Sequence, residues 1–134
     1  MRFAVLSDIH ANIEAFQAVA NDLKKQADQI LNLGDIVGYN ASPNECIKLA
    51  RDIGMHSILG NHDLAACNFA FAENFNIFAR NAILWTRRNL AHENMQFLND
   101  LEKNHRLSCA IACHGSPDDP NSYISLPFQA RTTL

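Results

Sequence analysis

"FAVLSDIHAN", residues 3–12, joins a short apolar run to an aspartate and a histidine two positions apart. Phe3, Ala4, Val5 and Leu6 read as a short buried strand, because so brief an apolar run suits no other element there. If the chain stays extended past Leu6, Asp8 and His10 project to the same side, since strand side chains alternate with a period of two. A carboxylate and an imidazole at a strand end suit a general base, a buried polar pair or two ligands for one metal. The rest of the chain decides among these.

The next segments repeat the theme. "ANIEAFQAVANDLKKQ" (11–26) carries Ile13, Phe16, Ala20 and Leu23 at helical spacing, with Asn12 as its N-cap. "QILNLGD" (29–35) predicts a second strand through Leu33, stopped by Gly34. "SPNECIKLARDIG" (42–54) predicts a helix: Ser42 and Glu45 have capping-box spacing, Pro43 takes the first helical position and Gly54 supplies the stop. "MHSILG" (55–60) is the third strand. The order β-α-β-α-β predicts a parallel sheet with right-handed crossovers.

Farther on, Ile77, Leu84, Trp85 and Arg88 fall along one helix, with Ile77, Leu84 and Trp85 expected in the core. Met95, Leu98 and Leu101 fall along another, and "LSCAIAC" (107–113) reads as a fourth strand. The turn-rich stretch from Gly115 onward shows neither strand nor helix. With no repeat, low-complexity tract or linker in view, residues 1–134 read as one domain.

Bulk properties narrow the function classes. The 134 residues are 48% hydrophobic and 19% charged, the profile of a globular protein with a real core. Net charge is −3 and no basic cluster exceeds a pair, which argues against nucleic acid as a partner and leaves room for a small phosphorylated substrate. No secretory leader pattern and no apolar stretch of the ~20 residues a membrane helix needs is present, so no membrane partner is expected. Cys46, Cys67, Cys109 and Cys113 form no C-x-x-C pair and read as small buried residues of a cytoplasmic, reducing setting.

Each predicted strand ends in a polar cluster: Asp8-Ile9-His10, Gly34-Asp35-Ile36-Val37-Gly38, Gly60-Asn61-His62-Asp63 and His114-Gly115. In an open α/β sheet ligands collect beyond the carboxyl ends of the strands, so these clusters would meet at one crevice. Carboxylates, imidazoles and an amide oxygen are hard to borderline donors, suited to Mn²⁺, Fe or Zn²⁺. They are too many for one ordinary catalytic zinc, and two metals sharing a bridging carboxylate would use them all.

"DIH" (8–10), "GDIVG" (34–38), "GNHD" (60–63) and "HG" (114–115), in that order, resemble the calcineurin-like metallophosphoesterases. "GDIVGYNASPNEC" and "HGSPDDP" look like their small prokaryotic phosphodiesterase branch. The resemblance implies a metal-dependent phosphoesterase that hydrolyses phosphodiesters or related phosphorylated compounds through a hydroxide activated by two divalent ions, Mn, Fe, Zn, Co or Ni, with Mn favoured. It implies that Asp8 and His10 bind the first metal, that Asp35 bridges both, and that Asn61 and His114 bind the second. His62 is implied as the catalytic histidine beside the phosphate, with Asp63 orienting it.

The family's last motif, G-H-x-H, does not follow His114. The family fold is an αββα sandwich, so the chain is expected to be C-terminally truncated relative to it, with the second sheet largely missing. An uncovered sheet face then predicts a homo-oligomer. A non-catalytic remnant with a weak metal site, acting as a binding or scaffold protein, is the alternative reading. A nucleotide-binding domain without hydrolysis is disfavoured, since neither a Walker motif nor G-x-G-x-x-G is present. His56, His92 and His105 read as structural or solvent-facing. Tyr39 and Asn12 flank the crevice by position.

Overall fold

Four apolar residues make β1 (Phe3–Leu6), which pairs in parallel with β2 (Gln29–Asn32) from Phe3–Gln29 to Leu6–Asn32. β2 pairs in parallel with the two-residue β3 (His56–Ser57), giving the sheet order β1-β2-β3. The computed structural model describes residues 1–23, 26–108 and 110–132. The expected Lys24–Lys25 end of the first helix and Cys109 lie outside the described residues.

Helices cover one face of this sheet. α1 (Ile13–Leu23) starts where Asn12 Oδ1 accepts the amide of Ala15 at 3.0 Å, the predicted N-cap. α2 (Pro43–Asp52) begins with Pro43 in its first turn, but the Ser42 side chain makes no cap hydrogen bond, so the capping box does not form. Phe16, Ala20, Cys46, Ile47 and Ala50 enter one core with Ile36, Val37, Met55 and Ala66, and Leu6 and Ile30 pack against it from the sheet. Each fully buried aliphatic side chain such as Ile47 contributes about 1.5–3 kcal/mol, which is what holds the helices on the sheet. On the opposite face Phe3 and Val5 stay exposed.

The second half departs more from the sequence reading. The polar cluster after β3 is the first turn of α3 (Asn61–Cys67), a helix too short to show periodicity in sequence. A 3₁₀ turn (Phe69–Ala72) leads to α4 (Ile77–Asn89) and α5 (His92–Asn99). The predicted apolar face of α4 is rotated outward: Ile77 is 62% and Trp85 42% exposed, while Ala79, Ile83 and Thr86 are buried. The small cluster of Ala65, Ala72 and Ile83, flanked by Phe69 and Phe75, fixes that phase by close packing rather than by the number of large side chains.

The fourth strand is shorter than predicted and does not join the parallel sheet. It is β5 (Ile111–Cys113), antiparallel to β4 (Asn104–Arg106), whose all-polar "NHR" gives no sequence signal. The expectation of no helix in the last stretch is also corrected, because Pro127 opens α6 (Pro127–Thr132). Gln129 Oε1 accepts the amides of Ser125 and Leu126 at 2.9 and 2.8 Å and so closes its entry turn. Among the described residues, no helix is long and apolar enough to cross a membrane.

Candidate metal centre

The chain does not stay extended past Leu6. Asp8, His10 and Ala11 take left-handed backbone conformations (φ 58°, 49° and 57°), as do Asp35 and Tyr39 in the loop after β2 (φ 58° and 59°). For residues with a Cβ this costs about 1–2 kcal/mol each. The two loops offset it by zipping together: the amides of Asp8, His10 and Ala11 donate to the carbonyls of Gly34, Asp35 and Ile36 at 3.1, 2.9 and 2.8 Å. Asp8 and His10 thus meet through a tight turn instead of through strand alternation, with His10 Nε2 3.6 Å from Asp8 Oδ1.

Asp35 stands at the middle. Its Oδ2 is 3.7 Å from His10 Nε2 and 3.7 Å from His114 Nε2, and its Oδ1 accepts the His62 amide at 2.8 Å. His10 Nδ1 donates to the Val37 carbonyl (3.1 Å), and His114 Nδ1 donates to the Leu33 carbonyl (2.6 Å). With Nδ1 turned to a backbone carbonyl, each ring aims its Nε2 into the crevice, the atom a metal would take. There His10 faces the carboxylates of Asp8 and Asp35, and His114 faces Asp35 and Asn61 Oδ1, the latter at 2.9 Å. Acceptors converging on acceptors is the chemistry of a cation site. The structure therefore gathers Asp8, His10, Asp35, Asn61 and His114, with a ring nitrogen of His62 also within 4.8 Å of ligand atoms of His10 and Asp35, and these groups fit divalent ions of the hard-to-borderline kind.

Glycines permit this crowding. A methyl group at Gly60 would lie 2.1 Å from Asp35 Oδ1, and one at Gly34 would lie 2.6 Å from Gly60 Cα, so neither position admits a side chain. Gly34 also has φ 103°, open to glycine and costly for other residues.

Among the described residues, no hydrogen bond joins the Asp63 carboxylate to the His62 ring. Fully buried, the Asp63 carboxylate accepts the amides of Asp35 (2.8 Å), Val37 (3.0 Å) and Gly60 (3.1 Å) and so clamps the loop that carries Asp35. Burial pushes the Asp63 carboxyl up, and these amides pull against it. Asp35 is pushed up to about 8, first by burial and then by the charge of Asp63. A bound cation would relieve that cost by favouring the ionised carboxylate.

His62 lies with its ring 4.7 Å from the rings of both Tyr39 and Phe75, and 4.8 Å from that of His10. Its Nδ1 is buried without a partner against Gly38, leaving Nε2 toward the crevice. Burial, then the neighbouring His10, lowers its pKa to about 4, so the ring is neutral near pH 7. Phe75 was invisible as a site residue in the sequence, since nothing local marks a phenylalanine that will stack on a histidine thirteen positions away. Tyr39 lines the crevice as its position suggested, together with Ser7 and Tyr123, which the sequence did not flag. Asn12 does not line it, being the cap of α1. Cys46 and Cys67 are free thiols pushed up to about 12 and 11 by burial, which makes them inert packing residues as expected.

A parallel α/β sheet with these loops at its carboxyl edge defines the metallophosphoesterase fold. The chain belongs to the calcineurin-like phosphoesterase family, whose model matches residues 1–132. It is 43% identical over 122 residues to the uncharacterised protein MJ0912 of Methanocaldococcus jannaschii, covering 87% of this chain and 50% of that one. Among solved structures, a metallophosphoesterase from Sphaerobacter thermophilus superposes with a TM-score of 0.83 at 38% identity, over 99% of this chain and 55% of that one. The hypothetical protein PH1004 of Pyrococcus horikoshii OT3 shares the fold at a TM-score of 0.83 and 20% identity, over 97% of this chain and 62% of that one. The chain thus spans about half the length of the curated relative it matches.

Proposed function

We propose that this chain carries the metal-dependent hydrolytic centre of a phosphoesterase acting on phosphodiesters or similar small phosphorylated compounds. One observation supports this above the others: Nε2 of His10 and Nε2 of His114 each stand 3.7 Å from the same oxygen of Asp35, with an Asp8 oxygen beside the first imidazole and the Asn61 oxygen beside the second. Asp8, His10 and Asp35 would hold one ion, and Asp35, Asn61 and His114 the other, with Mn²⁺ preferred for a donor set without thiolate. When bound, the ions supply charge neutralisation of the phosphoryl oxygens and water acidic enough to react near neutral pH.

The residues of the chain supply the rest. Backbone carbonyls of Val37 and Leu33 keep His10 and His114 in the tautomer that leaves Nε2 free. Asp63 keeps the Asp35 loop fixed, so little reorganisation is needed during the reaction. His62, neutral and wedged between aromatic rings, offers an Nε2–H to a phosphoryl or leaving-group oxygen. Its lowered pKa suits hydrogen bonding better than outright protonation at neutral pH. The crevice of about 400 Å³ opens beside a second hollow of about 630 Å³ lined by Tyr39, Phe71, Phe75 and Tyr123, room for the organic part of a substrate. The exposed Phe3 and Val5 face supports self-association of this chain.

The test is Mn²⁺-dependent hydrolysis of a chromogenic phosphodiester by the chain and by its Asp35→Asn variant. Turnover by the first and its loss in the second is the expected result. A folded sample that binds Mn²⁺ without turnover would leave a metal-binding protein and no enzyme.

A further inference from the structure

Outside the crevice, at the edge of the parallel sheet, a second group of donors comes together. His56 on β3 and His105 on β4 have ring centroids 3.9 Å apart, inclined at 48°. Glu102, just before β4, brings its Oε2 to 3.6 Å from His105 Nδ1. One ligand atom from each of the three lies within 4.8 Å of the others. Around a filled tetrahedral zinc site with Zn–N near 2.0–2.1 Å, donors stand about 3.3 Å apart. All three side chains reach solvent to some degree, so modest rotations can close the gap.

The backbone beneath them is held in place. The Leu59 amide donates to the Glu102 carbonyl at 2.8 Å, and His105 sits opposite Ala112 in the β4–β5 pair. Among the described residues, no hydrogen bond occupies either ring nitrogen of His56, so its lone pair is available. Two imidazoles and one carboxylate form a recognised three-ligand set for zinc, and the open, water-accessible side admits a water as the fourth ligand.

We propose that His56, Glu102 and His105 form a three-ligand Zn²⁺ site, with water in the fourth position, that pins the β4–β5 hairpin to the edge strand β3. Its consequence reaches the candidate metal centre, because β5 ends one residue before His114. Zinc at the sheet edge would fix the register of the strand that presents this donor. The site is independent of the hydrolytic reading and stands or falls separately from it.

Two measurements on the full chain test this. In long-range ¹H–¹⁵N spectra of the imidazoles, Zn²⁺ should move the ring signals of His56 and His105 as well as those of His10 and His114. Equilibrium dialysis should find one zinc equivalent fewer on His56→Ala and on His105→Ala than on the unaltered chain, with His92→Ala unchanged. Shifts confined to His10 and His114, or an unaltered zinc count in both variants, would overturn the proposal. The spectra of the unaltered chain decide the matter even if a variant folds poorly.

Discussion

The loops after β1 and β2 are laced to one another by five backbone hydrogen bonds, two of them donated back by Asn40 and Ser42, and clamped by the buried Asp63. His114 reaches the same crevice from a three-residue strand on a two-stranded hairpin whose residues are exposed or half-buried. Its ring is tethered at Nδ1 by a single carbonyl, that of Leu33. The contrast shows where rigidity resides. Asp8, His10, Asp35 and Asn61 are positioned by the fold itself, whereas the last corner depends on where the hairpin sits. Isolated two-stranded pairs are marginal without further support.

From that contrast, Asp63→Ala is expected to be the most damaging single change. It strands three buried amides at roughly 1–3 kcal/mol each, so a loss of about 3–5 kcal/mol is expected. Urea unfolding would read it as a lower midpoint at unchanged slope. Gly60→Ala comes next. It removes no donor but places a carbon where Asp35 stands, and a displacement of about 1 Å there should lower turnover about 100-fold. Steady-state kinetics on a folded variant checks this.

His114→Ala should weaken metal binding by at least about tenfold while lowering stability by under about 1 kcal/mol, measured by calorimetric titration beside urea unfolding. A stability loss as large as that of Asp63→Ala would abolish the contrast, since the hairpin would then be as integral as the sheet. pH supplies a gentler probe. Because Asp35 is raised to about 8, a proton competes with the metal below that value, and affinity should climb by up to about tenfold per unit toward pH 8. In chelator-treated protein the sign for stability is the reverse. A carboxyl raised above its unfolded value stabilises most at low pH, and that contribution is lost as pH rises through about 8. Thermal melts in chelator from pH 6 to 9 check the direction. The smallest effect is expected from Val5→Lys on the bare face, which should reduce self-association seen in sedimentation and leave hydrolysis unchanged.

The residues of the crevice were legible because each cluster follows a short apolar run, and Asp35, Asn61 and His114 each have a glycine next to them, a local pattern that survives without any knowledge of the fold. Asn12 as a cap and the three parallel strands were legible for the same reason. Ser42 was read as a cap and is not one, because the spacing of a capping box does not decide whether the side chain turns inward. Trp85 and Ile77 were read as core, yet small Ala65 and Ala72 set the phase of α4. Hydrophobicity marks what can be buried, while packing decides which face is.

The β-α-β-α-β order of the first part of the chain and the chemical character of the site follow from the sequence by itself, since both depend on neighbours within a few positions. The left-handed turns at Asp8, His10 and Asp35, the clamp at Asp63, the stacking of Phe75 on His62 and the antiparallel hairpin under His114 were decided only in three dimensions. Leu33 and His114 are 81 residues apart, and Asp35 and Asp63 are 28. Contacts at such separations leave no periodic trace in a sequence, because what selects them is the closure of the whole chain around a buried carboxylate.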